Sequence, residues 1–274
     1  MYHRAVNSFK TVEISVEGGI GHLRLARQER FNAMNPQFFV ELAQSAQALS
    51  DTAGIRAIVI SAKGPHFSVG LDLKESVIEP GAGSHAAQSQ RTYRDVKKLQ
   101  NNISVLARLP QPTIAAIQGY CIGAGVDLIA ACDIRVASSD AIFSIRESKL
   151  AIVADLGSLQ RLPRIISRGH LMELALTAQD FDSRRAEQIH LVNHVEETPA
   201  GALNKAIEIA TRISENSPLS TFGTKEIVAG IYDAELDTEL DRVALWNSAF
   251  LQSNDLAEAL SAFLDKRKPD FTGS

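Results

Sequence analysis

Three carboxylic acids within one stretch of the chain have the residue type needed for proton transfer. Asp127 and Asp155 each lie among aliphatic residues, and Glu147 lies between them in the chain after Ile145 and Arg146. An ionised carboxylate in apolar surroundings costs several kcal/mol or has a shifted pKa, which is the condition that acid–base catalysts exploit. The three acids are therefore candidates for general acid–base chemistry.

Each acid also has a purely structural interpretation. Asp127 falls in the first turn of a predicted helix, where a carboxylate interacts favourably with the helix N-terminus. Glu147 could pair with Arg146 or Lys149 at the surface, and Asp155 could cap a helix that follows it. The residues alone leave both interpretations open.

Two glycine-containing junctions accompany the acids, at residues 67–72 and 119–125. Where a strand ends in small residues and a helix begins, unpaired backbone N–H groups point outward and can bind an oxyanion. Tight turns and close packing are the alternative explanation for such glycines. Two junctions on successive units favour an oxyanion hole, because that site needs donors from separate segments. Neither junction has the Gly-Lys-Ser/Thr ending of a phosphate loop.

The elements that would position these residues follow an α/β pattern. Alternating residues at 11–16 and 20–26 flank Gly18 and Gly19, which predicts a β-hairpin. Short apolar runs predict buried strands, and they alternate with predicted helices, so we expect parallel strands with crossover helices. The strands are predicted at 57–60, 113–118 and 134–137, and the helices start at Pro36, near Arg91 and near Ala124. Residues 76–90 lack periodicity and predict a mobile surface loop.

The last part of the chain is predicted to be helical. Helical patterns cover 202–214, 219–231 and 255–266. We therefore divide the chain into a core at 1–200 and a helical segment at 201–274. A segment of this size is too small to bury residues such as Leu245 and Trp246 alone, so we expect it to dock against another subunit.

Composition narrows the function classes. The net charge of −4 and the absence of a basic tract argue against nucleic acid as a partner. No apolar run approaches about 18 residues, so no membrane span is expected, and the predicted location is the cytoplasm, or an organelle matrix if a presequence was removed.

Cys121 and Cys132 are expected to be buried, reduced thiols. His190 and His194 do not have the spacing of a metal site.

Several motifs together resemble the enoyl-CoA hydratase/isomerase (crotonase) superfamily. They lie at 67–73, 119–127, 131–135 and 160–164. The resemblance implies a crotonase-like spiral of ββα units with a C-terminal helical segment that forms trimers or dimers of trimers. It also implies that CoA enters as part of an acyl-CoA thioester substrate, with no metal or redox cofactor.

The resemblance also assigns roles to the two junctions. It implies an oxyanion hole for the thioester made by the backbone N–H groups of Val69 and Ala124. It further implies that four residues of the first junction contact the substrate: Ser68, Gly70, Leu71 and Asp72.

The set of acids resembles one subfamily in particular. Hydratases of this superfamily have two glutamates, at the positions of Asp127 and Glu147 here. The combination of Asp127, Glu147 and Asp155 resembles instead the Δ3,5-Δ2,4-dienoyl-CoA isomerases of fatty-acid β-oxidation. The resemblance implies that Glu147 removes a proton from C2, Asp155 protonates C6, and Asp127 orients or tunes Glu147. Separate environments should keep the base ionised and the acid protonated.

Three other functions remain open from the sequence. Asp127 and Glu147 could hydrate an enoyl-CoA. The superfamily also includes decarboxylases and hydrolases. A non-catalytic member would bind acyl-CoA or a macromolecule without turnover.

Overall fold

The computed structural model describes residues 9–75, 84–230 and 233–272. Its strands are β1 (Val12–Glu17), β2 (Ile20–Leu25), β3 (Ala57–Ala62), β4 (Thr113–Ile117), β5 (Tyr120–Ile122), β6 (Ile134–Ser138), β7 (Ile142–Ser144), β8 (Phe181–Asp182) and β9 (His194–Glu196). They form a six-stranded sheet of order β1-β2-β3-β4-β6-β9 and a three-stranded sheet of order β5-β7-β8.

The helices alternate with these strands and then run to the end of the described chain. They are α1 (Pro36–Ser50), α2 (His85–Arg108), α3 (Ala124–Ala130), α4 (Ser158–Arg161), α5 (Arg168–Thr177), α6 (Ser183–Gln188), α7 (Pro199–Ser214), α8 (Pro218–Gly230), α9 (Asp233–Phe250) and α10 (Asn254–Leu264). Short 3₁₀ turns lie at Gln28–Arg30, Glu147–Leu150 and Leu162–Arg164. The predicted α/β class is confirmed.

The large sheet explains the apolar runs in the sequence. β1 and β2 form the predicted antiparallel hairpin, and β2, β3, β4, β6 and β9 pair in parallel. Ile58 and Ile60 of β3 pack into a core with α1, whereas Ala57 and Val59 face the alanines of α7. A central strand covered on both faces is uniformly apolar, because both sets of alternating side chains are buried.

The small sheet carries the two junctions. β5 follows β4 through Gly119, which has φ +53, and runs directly into α3. Ser68 forms an isolated parallel bridge with Cys121 of β5, so the first junction lies beside the second. This pairing brings two segments that are distant in the sequence to one edge of the fold.

Capping explains the helix boundaries. The Asn35 side chain accepts a 2.9 Å hydrogen bond from the Phe38 N–H, and Pro36 occupies the first turn, as predicted.

α2 begins at His85, so the prediction of a loop is wrong for residues 85–90. Alanine and glutamine favour an exposed helix without any apolar periodicity, and Ser84 caps it. Residues 76–83 of the predicted loop lie outside the described residues.

The C-terminal helices cover the site region. α9, which no sequence pattern delimited, packs on α2, and α10 packs on the 3₁₀ turn Glu147–Leu150. Several large apolar side chains remain exposed on these helices: Leu219, Ile227, Val228, Leu245 and Trp246. No helix among the described residues is long and apolar enough to cross a membrane.

Both cysteines are free and buried, as predicted. The same described part of the chain contains no cluster of three metal-ligating side chains.

Candidate active site

A cavity of about 810 Å³ collects the residues singled out from the sequence. Asp127, Glu147 and Asp155 all line it, together with Leu71 of the first junction and Ala124 of the second. α10 and the chain after it close another side through residues such as Ala259 and Phe263. Three acids and both junctions therefore share one cavity.

Asp127 lies in the first turn of α3 and is 1% exposed. Its Oδ1 accepts a 2.5 Å hydrogen bond from the backbone N–H of Ser158, at the start of α4. Burial raises the pKa of Asp127 to about 6, although the hydrogen bonds from Ser158 and the nearby Arg161 guanidinium act in the opposite direction. The carboxyl group therefore stabilises a neighbouring chain segment and remains close to its titration range at neutral pH.

Glu147 begins the 3₁₀ turn that α10 covers. Its Oε2 is buried and has no hydrogen-bond partner among the described residues. The surface ion pair with Arg146 is absent, because Arg146 pairs with Asp180. Burial and the nearby Asp127 raise the pKa of Glu147 to about 8. A buried carboxyl with an unpartnered oxygen is costly to retain, which favours a functional over a structural interpretation.

Asp155 lies in the segment without regular secondary structure that leads to α4. The capping interpretation is wrong, because Gly157 occupies the N-cap position of that helix. Oδ2 of Asp155 accepts a 2.6 Å hydrogen bond from Nδ2 of Asn247 on α9. Burial raises the pKa of Asp155 to about 7, and the Asn247 hydrogen bond limits that rise.

Burial raises the pKa of both expected proton carriers. That of Glu147, the expected base, is raised to about 8, and that of Asp155, the expected acid, to about 7. Both carboxyl groups therefore titrate near neutral pH, and the assignment of the base to Glu147 and of the acid to Asp155 stays a prediction.

The first junction uses most of its backbone amides internally. Four amides of residues 68–72 donate to an acceptor: Ser68 to Tyr120 O, Val69 to Phe31 O, Gly70 to Ser68 Oγ and Asp72 to Met34 O. The bond from Val69 is 3.2 Å long, so the expectation that Val69 supplies an oxyanion donor is wrong. Among the described residues, the Leu71 N–H has no acceptor. Leu71 is therefore the amide that this loop leaves available.

The second junction leaves a matching amide. The N–H of Ala124 begins α3 and donates to no acceptor among the described residues. Gly70 adopts φ +87, and a Cβ built there would lie 2.8 Å from the Ile122 carbonyl oxygen and 3.4 Å from the Ala124 nitrogen. Only glycine allows the two loops to approach this closely. The two free amides thus belong to loops in direct contact.

Two of the four expected substrate contacts have another role. Ser68 is fully buried, and its hydroxyl donates to the Asn32 carbonyl oxygen while accepting from the Gly70 N–H. Asp72 touches the cavity, but its carboxylate pairs with Arg27 at 3.1 Å. These side chains hold the first junction in shape, whereas Gly70 and Leu71 line the cavity.

Sequence reasoning missed three buried residues that support the acids. Arg161 donates to Ser104 Oγ at 2.7 Å and to the Leu156 carbonyl oxygen at 3.2 Å. Gln100 and Asn247 hold Asp155 from α2 and α9. Neutral amide side chains in helices such as α2 and α9 carry no sequence signal for such a role. Of the three residues, only Arg161 lies within one of the motifs that were singled out from the sequence.

This protein has the crotonase fold. Its ββα units repeat along the chain, and its cavity combines buried acids with two unpaired backbone amides. The protein belongs to the enoyl-CoA hydratase/isomerase family, whose model matches residues 15–274.

Curated relatives cover nearly the whole chain. A peroxisomal Delta(3,5)-Delta(2,4)-dienoyl-CoA isomerase from Arabidopsis thaliana is 41% identical, with 97% of this chain and 98% of the relative covered. A mitochondrial protein of the same name from Dictyostelium discoideum is 39% identical, covering 92% and 87%. A probable enoyl-CoA hydratase from Mycobacterium tuberculosis is 33% identical, covering 97% and 99%.

Solved structures agree in fold. An enoyl-CoA hydratase/isomerase from Pseudoalteromonas atlantica T6c superposes with a TM-score of 0.84 at 24% identity, covering 96% of this chain and all of that one. An enoyl-CoA hydratase from Bacillus anthracis gives a TM-score of 0.73 at 29% identity, covering 97% and 100%.

Proposed function

We propose that this protein is a Δ3,5-Δ2,4-dienoyl-CoA isomerase. The observation that carries the proposal is the third acid, Asp155, on the same cavity as Asp127 and Glu147. Relatives with that enzyme name at 39–41% identity support it. The reaction needs one group that removes a proton and another that delivers one further along the acyl chain, which a single carboxylate cannot do at both places.

The proposed reaction balances without a co-reactant. Glu147 takes the proton from C2, and the electron pair of that C–H bond forms the C2=C3 double bond. The C3=C4 pair moves to C4=C5, and the C5=C6 pair takes a proton from Asp155 at C6. The enzyme then holds protonated Glu147 and ionised Asp155, and one proton exchange with solvent at each group restores the starting form. Asp127 orients and tunes Glu147.

Two backbone amides would stabilise the thioester oxygen as charge develops on it. The proposed donors are the Leu71 and Ala124 N–H groups, since Val69 is already hydrogen-bonded to Phe31. Each well-placed donor is worth about 3 kcal/mol of barrier. Their location beside Glu147 fits the chemistry, because the C2 proton is acidic only next to a polarised thioester.

The rest of the substrate would be an acyl-CoA with no further cofactor. Arg30, Lys74 and Lys149 line the cavity and suit the phosphate groups of CoA. Arg267 also lines it but is paired with Glu258.

We further propose that residues 201–274 mediate a trimer or a dimer of trimers, because apolar side chains such as Leu245 and Trp246 are exposed there. A stable monomer in light scattering would contradict this assembly. Cytoplasm or an organelle matrix remains the proposed location; the Arabidopsis relative is named as peroxisomal and the Dictyostelium relative as mitochondrial.

The function is tested with 3,5-octadienoyl-CoA in an ultraviolet assay for the conjugated 2,4-dienoyl product. Rapid formation of that chromophore is expected. Fast hydration of crotonyl-CoA without isomerisation of the dienoyl substrate would favour a hydratase, which the 33% identical probable enoyl-CoA hydratase makes the second candidate. Tight acyl-CoA binding without turnover would indicate a non-catalytic protein.

A further inference from the structure

Asn247 of α9 is the one side chain that the described residues place within hydrogen-bonding distance of the Asp155 carboxyl group. It is 2% exposed, although it lies only one residue from the exposed Trp246. Its Nδ2 donates to Oδ2 of Asp155 at 2.6 Å and to the Val153 carbonyl oxygen at 2.8 Å. A buried polar side chain that donates to one of the three acids and to the backbone two residues before it needs an explanation.

The chemistry of these partners fixes the orientation of the amide. A backbone carbonyl oxygen only accepts hydrogen bonds, so the group facing Val153 must be the NH₂ of Asn247 and not its oxygen. Both hydrogens of that NH₂ are then used, one on Val153 and one on Asp155. Oδ2 of Asp155 must accept, and it cannot carry a proton along that bond.

Oδ1, the second oxygen of Asp155, is not engaged by Asn247, and Asp155 lines the cavity. The other hydrogen bond that acts on this carboxyl group comes from the backbone N–H of Asp155 itself. We propose that Asn247 is a positioning residue, which reserves Oδ2 of Asp155 as an acceptor and directs the transferable proton to Oδ1. This inference rests on the isomerase function proposed above.

Few other groups near Asp155 could direct its proton to one oxygen. The titratable groups that act on it across the cavity are Asp127 of α3 and Glu147 of the 3₁₀ turn. α2 contributes the neutral Gln100, whose Nε2 donates to the main-chain oxygen of Asp155 at 2.7 Å and to that of Leu240 at 2.9 Å. Glu239 and Arg242 of α9 line a neighbouring cavity with Val153.

Gln100 provides a matched control. It joins the Asp155 segment to α9 through a buried amide, as Asn247 does, but it touches only the backbone of Asp155. Gln100→Leu removes a tether of similar strength without changing the carboxyl group. Asn247→Ala removes the tether and the carboxyl contact together.

The test compares the two variants with the unmodified protein in the ultraviolet isomerisation assay over pH 5–10. For Asn247→Ala we expect kcat to fall by about ten- to a hundredfold with KM within about twofold, since binding is preserved and orientation is lost. The lost hydrogen bond favoured the ionised acid, so the pH optimum of kcat/KM should move upward by about 0.5–1 unit. Gln100→Leu should lower the melting temperature without moving the optimum.

Each outcome is decisive. An unchanged optimum and kcat in Asn247→Ala, or the same shift in Gln100→Leu, would overturn the positioning role. If Asn247→Ala does not fold, Asn247→Leu keeps a branched side chain without a donor or a charge, and the same upward shift is expected; an unshifted optimum overturns the role. Absence of isomerisation in the unmodified protein would instead refute the proposed function.

Discussion

Oε1 of Glu147 lies 3.3 Å from the place that a Cβ atom on Gly123 would occupy. Gly123 is the residue before Ala124, at the start of α3, with φ +55. The proposed base is therefore in contact with the turn that presents one of the proposed oxyanion donors. Base and oxyanion hole lie together because the C2 proton and the thioester oxygen are close neighbours in the substrate.

Gly123→Ala should reduce kcat/KM by at least about tenfold. The methyl group meets Glu147, and a left-handed conformation costs a non-glycine residue about 1–3 kcal/mol. Steady-state kinetics with the dienoyl substrate measure the effect. Gly169→Ala is the control, since nothing lies within 4 Å of a Cβ there and the residue is helical. Full activity in Gly123→Ala would show that this turn does not contribute to catalysis.

Removal of the Leu71 N–H should lower kcat by about 10²–10³-fold. Leu71→Pro deletes that donor, whereas Leu71→Ala shortens the side chain and keeps the N–H. The prediction is a large loss of kcat in the proline variant and a small one in the alanine variant, measured side by side with circular dichroism as the folding check. Equal losses in the two variants would count against Leu71 as an oxyanion donor.

Asp155 should make the stability of the protein depend on pH. Its pKa is raised from an ordinary value of 3.8 to about 7 in the folded protein. Folding favours the protonated form of Asp155. Its contribution to the stability of the folded protein is therefore fully present below about pH 4 and is lost as the pH rises through 7.

The Asp155→Asn variant lacks this dependence. Between pH 5 and pH 8, its free energy of unfolding should rise relative to that of the unmodified protein by on the order of 2–4 kcal/mol. Urea unfolding at the two pH values measures the difference. A constant difference would mean that the Asp155 pKa is ordinary.

Arg27 should hold the first junction in place. Its guanidinium donates to Asp72 at 3.1 Å and to the Ala33 carbonyl oxygen at 2.5 Å, with both charged side chains largely buried. Arg27→Met leaves the Asp72 carboxylate without its cation, so unfolding should cost about 3–5 kcal/mol less. Lys63→Met, which removes a surface pair with Glu13, should change stability by less than about 1 kcal/mol. Similar effects of the two substitutions would contradict this role for Arg27.

The sequence predicted the parts of this fold that depend on local pattern. The β1–β2 hairpin and the apolar run of β3 follow from alternation and burial, and Asn35-Pro36 marks the start of α1. The start of α2 was missed because its first turns are exposed and polar, so no apolar stripe marks them. The bounds of α9 were not predicted because this helix has apolar residues on both a buried and an exposed face, so no single apolar stripe marks it. Leu240 and Asn247 are buried, whereas Leu245 and Trp246 are exposed.

The candidate site was predictable only in part. Asp127, Glu147 and Asp155 attracted attention through apolar neighbours, and the cavity unites them. The choice between the Val69 and Leu71 amides depends on the hydrogen bond from the Val69 N–H to the Phe31 carbonyl oxygen, which no spacing reveals. Tertiary contacts across long chain separations also determine the Asn247–Asp155 hydrogen bond and raise the pKa of Glu147 above its ordinary value.

Proton exchange in D₂O tests most directly whether Glu147 is the C2 base and Asp155 the C6 acid. The unmodified protein should convert 3,5-octadienoyl-CoA to the 2,4-dienoyl product with deuterium at C6, detected by mass spectrometry and NMR. Asp155→Asn should form almost no product yet still exchange the C2 hydrogen of the substrate, whereas Glu147→Gln should do neither. If Asp155→Asn loses C2 exchange while Glu147→Gln retains it, the two roles are reversed; if Asp155→Asn isomerises the substrate at nearly the unmodified rate, Asp155 is not the C6 acid.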